Sequence, residues 1–154
     1  MDESLRRRLV CANLTAAFAT VHAGAKTMMN TGGSIVLVSS VAARVGLPNH
    51  EAIAAAKAGI IGLTLAAAAS YAERGIRVNC VAPGMVRTPL TARLTANEAS
   101  LKTSAAMHPL GRIGEPSDVA AAIAWLLDPQ QSWVTGQVFG IDGGLATVRT
   151  RGKS

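Results

Sequence analysis

The chain has 154 residues, of which 49% are apolar, 16% charged and 3% aromatic, with a formal net charge of +6. That length and apolar content exclude a disordered segment and allow one domain with a real core. So few rings argue against a stacking platform for single-stranded nucleic acid, and no nucleic-acid reader motif accompanies the positive charge. Part of that charge sits in Arg6-Arg7-Arg8 and in Arg149, Arg151 and Lys153; it reads as a solvated helix end and tail, with a phosphate-rich ligand or acidic partner as the other reading.

In chain order, residues 5–30 carry apolar side chains at Leu14, Phe18, Val21 and Ala25, a helical spacing. Thr31-Gly32-Gly33 ends that helix. Ile35-Val36-Leu37-Val38 is a short, branched apolar run, as expected of a strand buried on both faces of a parallel sheet. A loop through Gly46-Leu47-Pro48-Asn49 leads into an Ala-rich helix over residues 50–73, stopped by Gly75. Residues 52–69 approach membrane-spanning length, but they include Lys57 and are built largely from Ala and Gly. A charge at that depth is costly in lipid, so this is read as a buried or subunit-contact helix, with no membrane partner.

Residues 77–82 form the second predicted strand, closed by Pro83-Gly84. Residues 88–108 read as a mobile helical segment, with Thr91 and Thr95 as candidate caps. Pro116, with Asp118 in the first turn, opens a helix running through Leu127. Residues 137–141 form the third strand, closed by Asp142-Gly143-Gly144, and residues 145–154 a flexible tail. Strands alternating with helices at these spacings predict one α/β domain over residues 1–154, with right-handed crossovers and helices on both faces of a parallel sheet. Cys11 and Cys80 lie far apart in apolar contexts and lack metal-ligand spacing. They read as small hydrophobes in a reducing compartment. Residues 1–8 are polar and resemble no secretory leader, so the expected location is cytoplasmic and no metal is expected.

Five stretches taken together resemble the short-chain dehydrogenase/reductase family: Asn13-Leu14-Thr15; Gly33-Ser34-Ile35-Val36-Leu37-Val38-Ser39-Ser40; Arg74-Gly75-Ile76-Arg77-Val78-Asn79; Pro83-Gly84-Met85-Val86-Arg87-Thr88-Pro89; and Thr135-Gly136-Gln137 through Asp142-Gly143-Gly144. Each is weak alone; in this order they cover nearly the whole chain. The resemblance implies the C-terminal part of a doubly wound, Rossmann-type sheet, without its first βαβ units. It implies an oxidoreductase that uses NAD or NADP on a small alcohol or carbonyl substrate. Ser40 then matches the serine that hydrogen-bonds the substrate oxygen, and Asn13 the asparagine that holds a relay water. Lys57 matches the lysine that binds the nicotinamide ribose and lowers the pKa of a tyrosine. Pro83, Gly84, Val86 and Thr88 match the loop beside the nicotinamide carboxamide. The resemblance also implies a homo-oligomer, dimer or tetramer, in which the helices bearing Asn13 and Lys57 pack against their mates.

The tyrosine position, thirteen residues after Ser40 and four before Lys57, is Ile53. Isoleucine has no proton for an alkoxide left by hydride transfer, whereas a phenol lowered by a neighbouring ammonium has one. The single tyrosine, Tyr71, lies about 27 Å along the same predicted helix at 1.5 Å per residue. His50 shares the helical face of Ile53 and Lys57 and is a candidate substitute acid. His108, in the mobile segment, is a candidate substrate contact. The family's Thr-Gly-x-x-x-Gly-x-Gly turn, which lets a backbone approach the pyrophosphate, does not occur in this sequence, so NAD cannot be told from NADP. Without a preceding strand, the run at residues 35–38 would be an exposed edge. A fragment, a late start within the first helix, or half of a split assembly is therefore expected. Two functions follow as alternatives: an oxidoreductase when complete, or a non-catalytic pseudoenzyme serving as a binding or oligomerisation partner.

Overall fold

A computed structural model describes residues 2–151; the last residues of the expected tail, 152–154, lie outside it. Helix α1 (Glu3–Val10) and helix α2 (Ala16–Met28) follow one path, joined by a π-helical turn at Cys11–Thr15. The continuous helix predicted from periodicity therefore contains a widened turn around Asn13. Strand β1 (Gly33–Val38) follows, then helix α3 (Glu51–Tyr71) and strand β2 (Ile76–Pro83). The entries into β1 and β2 touch through backbone alone. A Cβ at Gly32, where φ is +68°, would stand 2.9 Å from the Gly75 carbonyl oxygen, so glycine is required there on both counts.

The three strands are parallel in the order β1-β2-β3, where β3 is Val138–Ile141. Central β2 is buried on both faces: Ile76, Val78 and Cys80 are apolar, and Arg77 and Asn79, which alternate with them, are buried with hydrogen-bond partners. Alternate side chains point to opposite faces. Ile35, Leu37, Ile76, Val78 and Cys80 meet Val21, Ala25, Ile60, Ala67 and Ala68 of α2 and α3. Full burial of side chains such as Ile76 and Val78 is worth on the order of 1.5–3 kcal/mol each. The intervening residues face helix α6 (Pro116–Leu127). There Ser34 Oγ and Arg77 Nη1 both donate to the Leu126 carbonyl, each at 2.9 Å.

Arg77 is a buried cation held entirely by backbone oxygens. It donates also to Val134 O at 3.3 Å and Asp128 O at 3.1 Å. The negative end of the α6 dipole and its unpaired carbonyls lie there, so a guanidinium fits without a carboxylate partner. Helix α3 has the length and apolarity to cross a membrane; here Ala56, Ile60, Thr64, Ala67 and Ala68 are buried along its inner side.

The segment predicted as helical over residues 88–108 comes in pieces: a 3-10 turn at Pro89–Thr91, helix α4 (Ala92–Thr95) and helix α5 (Glu98–Met107). Thr88 is the N-cap of the 3-10 turn, and Thr91 accepts its N–H at 3.0 Å from the third position; as the residue before α4, Thr91 makes no side-chain cap bond. Thr95 does not cap; its hydroxyl bonds back to Ala92 O at 3.3 Å. Asn97 starts α5 instead, its Oδ1 accepting the Ser100 N–H at 2.9 Å, because an amide oxygen reaches an orphan N–H of the first turn. Helix α6 opens on Pro116 as predicted, with Asp118 accepting the Glu115 N–H at 2.7 Å. Arg112, hydrogen-bonded to Asp118, holds that carboxyl down at about 2. After β3, Asp142 accepts the amides of Gly144 and Ala146, and residues 144–148 close a turn from Val148 N to Gly144 O at 2.8 Å.

Candidate active site

Ser40, Lys57 and the loop from Pro83 to Thr88 lie at the C-terminal ends of β1 and β2, the end where open parallel sheets hold ligands. The Ser39 amide donates to Val81 O at 2.8 Å, so the two serines lie beside the last residues of β2. Ser40 is half-buried and caps a 3-10 turn at Val41–Ala43, its Oγ accepting the Ala42 N–H at 3.2 Å. A hydroxyl that accepts there keeps its own proton to donate elsewhere.

Lys57 emerges from α3 onto the same place. Its Nζ donates to Val38 O at 3.0 Å, and Ser39 Oγ donates to the Lys57 carbonyl at 2.8 Å. These two bonds bind the end of β1 to α3 at the position of the lysine. Burial pulls the Lys57 ammonium below the usual lysine value, opposed by the nearby Cys80 sulfur. Burial likewise pushes the Cys80 thiol up. Of the two adjacent serines, Ser39 is thus spent on holding α3, a role that only the fold assigns, whereas Ser40 caps the turn after β1.

Asn13 sits in the π-helical turn, a geometry frequent at functional sites. Its Nδ2 donates to Leu9 O at 2.9 Å, which leaves the amide oxygen as an acceptor. Neighbouring Leu14 packs on Gly59 of α3, where a Cβ would lie 2.8 Å from Leu14 Cδ2. The absence of a side chain at position 59 thus lets the Asn13 turn approach α3 two residues beyond Lys57. The loop after β2 supplies Pro83, Gly84, Val86 and Thr88, all half-buried. Thr91 fixes it: its Oγ1 donates to Val86 O at 2.6 Å and accepts the Thr88 N–H at 3.0 Å.

Ile53 is half-buried in the first turn of α3, four residues before Lys57. His50 is exposed at the start of α3, with Nδ1 2.7 Å from Pro48 O. His108 departs from expectation. It is 4% exposed, with one ring nitrogen on Ser104 O and the other on the Met85 amide. Both ring nitrogens are therefore already bonded within the chain. Among the described residues no three His, Cys, Asp or Glu side chains gather as a metal site.

A serine, a lysine and a Pro-Gly loop stand at the carboxyl end of a parallel sheet, the end where open α/β folds hold ligands. Residues 1–146 match the family model described as Enoyl-(Acyl carrier protein) reductase. Cyclohexanol dehydrogenase of Acinetobacter sp. (strain SE19) is 41% identical over 138 residues, which is 89% of this chain and 53% of that protein. The 3-oxoacyl-acyl-carrier-protein reductase FabG of Thermotoga maritima is 50% identical over 113 residues, 73% of this chain and 45% of that one. A short-chain type dehydrogenase/reductase from Mycobacterium ulcerans superposes with a TM-score of 0.91 at 34% identity, covering 96% of this chain and 54% of the other. ElxO with NADP bound gives 0.89 at 28% identity, covering 94% and 59%. The chain belongs to the short-chain dehydrogenase/reductase family. It spans about half the length of the curated relatives it matches.

Proposed function

We propose that these residues form the substrate and nicotinamide end of an NAD(P)-dependent oxidoreductase that interconverts a small alcohol and its carbonyl compound. The observation that carries this reading is the meeting of Ser40, Lys57 and the Pro83-to-Thr88 loop at the carboxyl ends of adjacent strands. The donor set fits the nicotinamide end of such a cofactor: a half-buried ammonium already on a carbonyl, a threonine hydroxyl and a loop pinned by Thr91. The sequence contains no Gly-rich turn for the pyrophosphate. When bound, the nicotinamide accepts or returns the hydride of the alcohol carbon. In this reading Ser40 hydrogen-bonds the substrate oxygen, Lys57 holds the ribose and Asn13 holds a water for proton relay. Pro83, Gly84, Val86 and Thr88 flank the carboxamide.

Relatives named for cyclohexanol, for a dichlorocyclohexadienediol and for cis-4-hydroxycyclohexanecarboxylate make a ring alcohol the first substrate to try. Saturation-transfer NMR with NADP and with nicotinamide mononucleotide tests the reading on the purified chain. Transfer to the nicotinamide protons is expected, and its loss in Lys57→Ala. Transfer to neither ligand, or to adenine protons alone, overturns it.

Ile53 favours a second reading, a non-catalytic member that binds ligand or partner. His50, whose ring is oriented by the Pro48 carbonyl, is the candidate acid that would keep the chain catalytic. A homo-oligomer is part of the proposal in either case. Phe18 of α2 and Leu65 of α3 are 61% and 53% exposed, an apolar pair that a second copy would cover. Gel filtration is expected to give a dimer or larger species, and a clean monomer counts against it. The two free thiols, Cys11 and Cys80, suit the proposed cytoplasmic location.

A further inference from the structure

We infer that His108 is a positioning residue that fastens helix α5 to the Pro83-to-Thr88 loop only while its imidazole is neutral. The inference rests on the reading above for the meaning of that loop, but not for its geometry. The ring is buried at the meeting of three segments. Its Nδ1 is 2.7 Å from the Ser104 carbonyl of α5, and its Nε2 is 3.2 Å from the Met85 amide nitrogen. A carbonyl can only accept and an amide N–H can only donate. The two contacts together therefore assign the tautomer: Nδ1 carries the proton, and the Nε2 lone pair receives Met85.

The loop side of the contact has no slack. A Cβ at Gly84 would lie 2.7 Å from His108 Nε2 and 3.1 Å from Asp142 Cα. On the third side, a Cβ at Gly143 would lie 3.4 Å from His108 Cβ. Two glycines thus make room for this ring. A second ring proton would point at the Met85 N–H. Two donors would then face each other in a buried place, and the amide would lose its acceptor.

The charged groups near the ring are Asp142, Arg112 and Asp118, which line one cavity with it. Asp142 lies on the turn after β3, its oxygens taken by the Gly144 and Ala146 amides. Arg112 and Asp118, which line the same cavity of about 390 Å³, are bonded to each other at 2.7 Å. Asp118 is held down at about 2 by that guanidinium and does not change charge near neutrality.

Amide hydrogen exchange followed by NMR on the intact chain tests this, at about pH 5 and about pH 8, limits that bracket imidazole titration in general. Protection factors, corrected for intrinsic exchange, are expected to fall at least about tenfold at the lower pH for Met85 and for α5, by release of a local opening unit. His108→Leu should show low protection at both pH values. His108→Gln places a neutral carbonyl acceptor near the Nε2 position and should restore protection at both. Equal protection of Met85 at the two pH values in the unsubstituted chain overturns the inference. So does a pH response in His108→Gln matching that of the unsubstituted chain. Both outcomes stand even if the leucine variant fails to fold. Because exchange is read without cofactor, its failure is separate from a failure to bind nicotinamide.

Discussion

Ile53→Tyr is expected to raise turnover of a ring alcohol by the native protein about 10²–10⁴-fold, the usual contribution of a positioned acid or base. The tyrosine would stand one helical turn before Lys57 on the same face of α3. An ammonium at that spacing favours the phenolate and brings the phenol closer to neutrality. Lys57 is suited to this because it is half-buried, so its field is screened less than that of a surface lysine. Ile53→Phe is the control: it supplies the ring and no proton, and should leave the rate unchanged. Steady-state kinetics with NAD and NADP measure all three proteins. A tyrosine variant no faster than the phenylalanine one would show that the missing hydroxyl does not limit the reaction. If His50→Ala then abolished turnover, the exposed imidazole at the start of α3 would be the working acid.

Asn79→Leu is expected to destabilise the fold by about 3 kcal/mol, since each buried polar group left without its partner costs about 1–3 kcal/mol. Asn79 is fully buried on the α6 side of β2. Its Nδ2 donates to Val134 O at 2.8 Å, and its Oδ1 accepts the Gln137 N–H at 3.0 Å. Leucine keeps roughly the volume and abandons both. The loss should concentrate on β3, because Asn79 bonds both ends of the stretch that leads into it; the remaining ties to β2 are Gly136 N to Val78 O and Cys80 N to Gln137 O, each at 2.8 Å, Val78 N to Thr135 Oγ1 at 3.1 Å and Arg77 Nη1 to Val134 O at 3.3 Å. Urea unfolding gives the stability, and hydrogen exchange shows whether Val138–Ile141 opens first. A loss under about 1 kcal/mol would mean that Arg77 and the backbone bonds hold this segment without the amide.

Much of the architecture is legible in local chemistry. The run Ile35-Val36-Leu37-Val38 announces a strand, although only Ile35 and Leu37 are buried and Val38 is exposed; the segment closed by Pro83-Gly84 announces another, buried on both faces in spite of Arg77 and Asn79. Pro116 with Asp118 announces the start of α6, and Gly75 the stop before β2. Such features depend on residues within a turn or two of one another, and the chain's order already contains them. The substitution at Ile53 belongs here too: a side chain without a proton is known from its identity alone.

Partnership between distant segments is another matter. Nothing near Asn13 in the sequence distinguishes a π-helical turn from an α-helical one; the widening lies where Leu14 settles on Gly59. Ser39 and Ser40 are adjacent and chemically alike. Strand alternation and the arrival of Lys57 send one inward to the helix and leave the other to cap the turn after β1. His108 could be read from sequence as a group facing substrate, yet Met85 and Ser104 consume both its nitrogens. Arg77 could be taken for a surface cation until the end of α6 is laid over it. Sequence by itself determined the elements and which side chains are candidates for the site, because periodicity and side-chain chemistry are local. Tertiary structure alone decided which polar atoms are spent on the scaffold and which remain for a ligand, because hydrogen-bond partners are assigned only when remote segments meet.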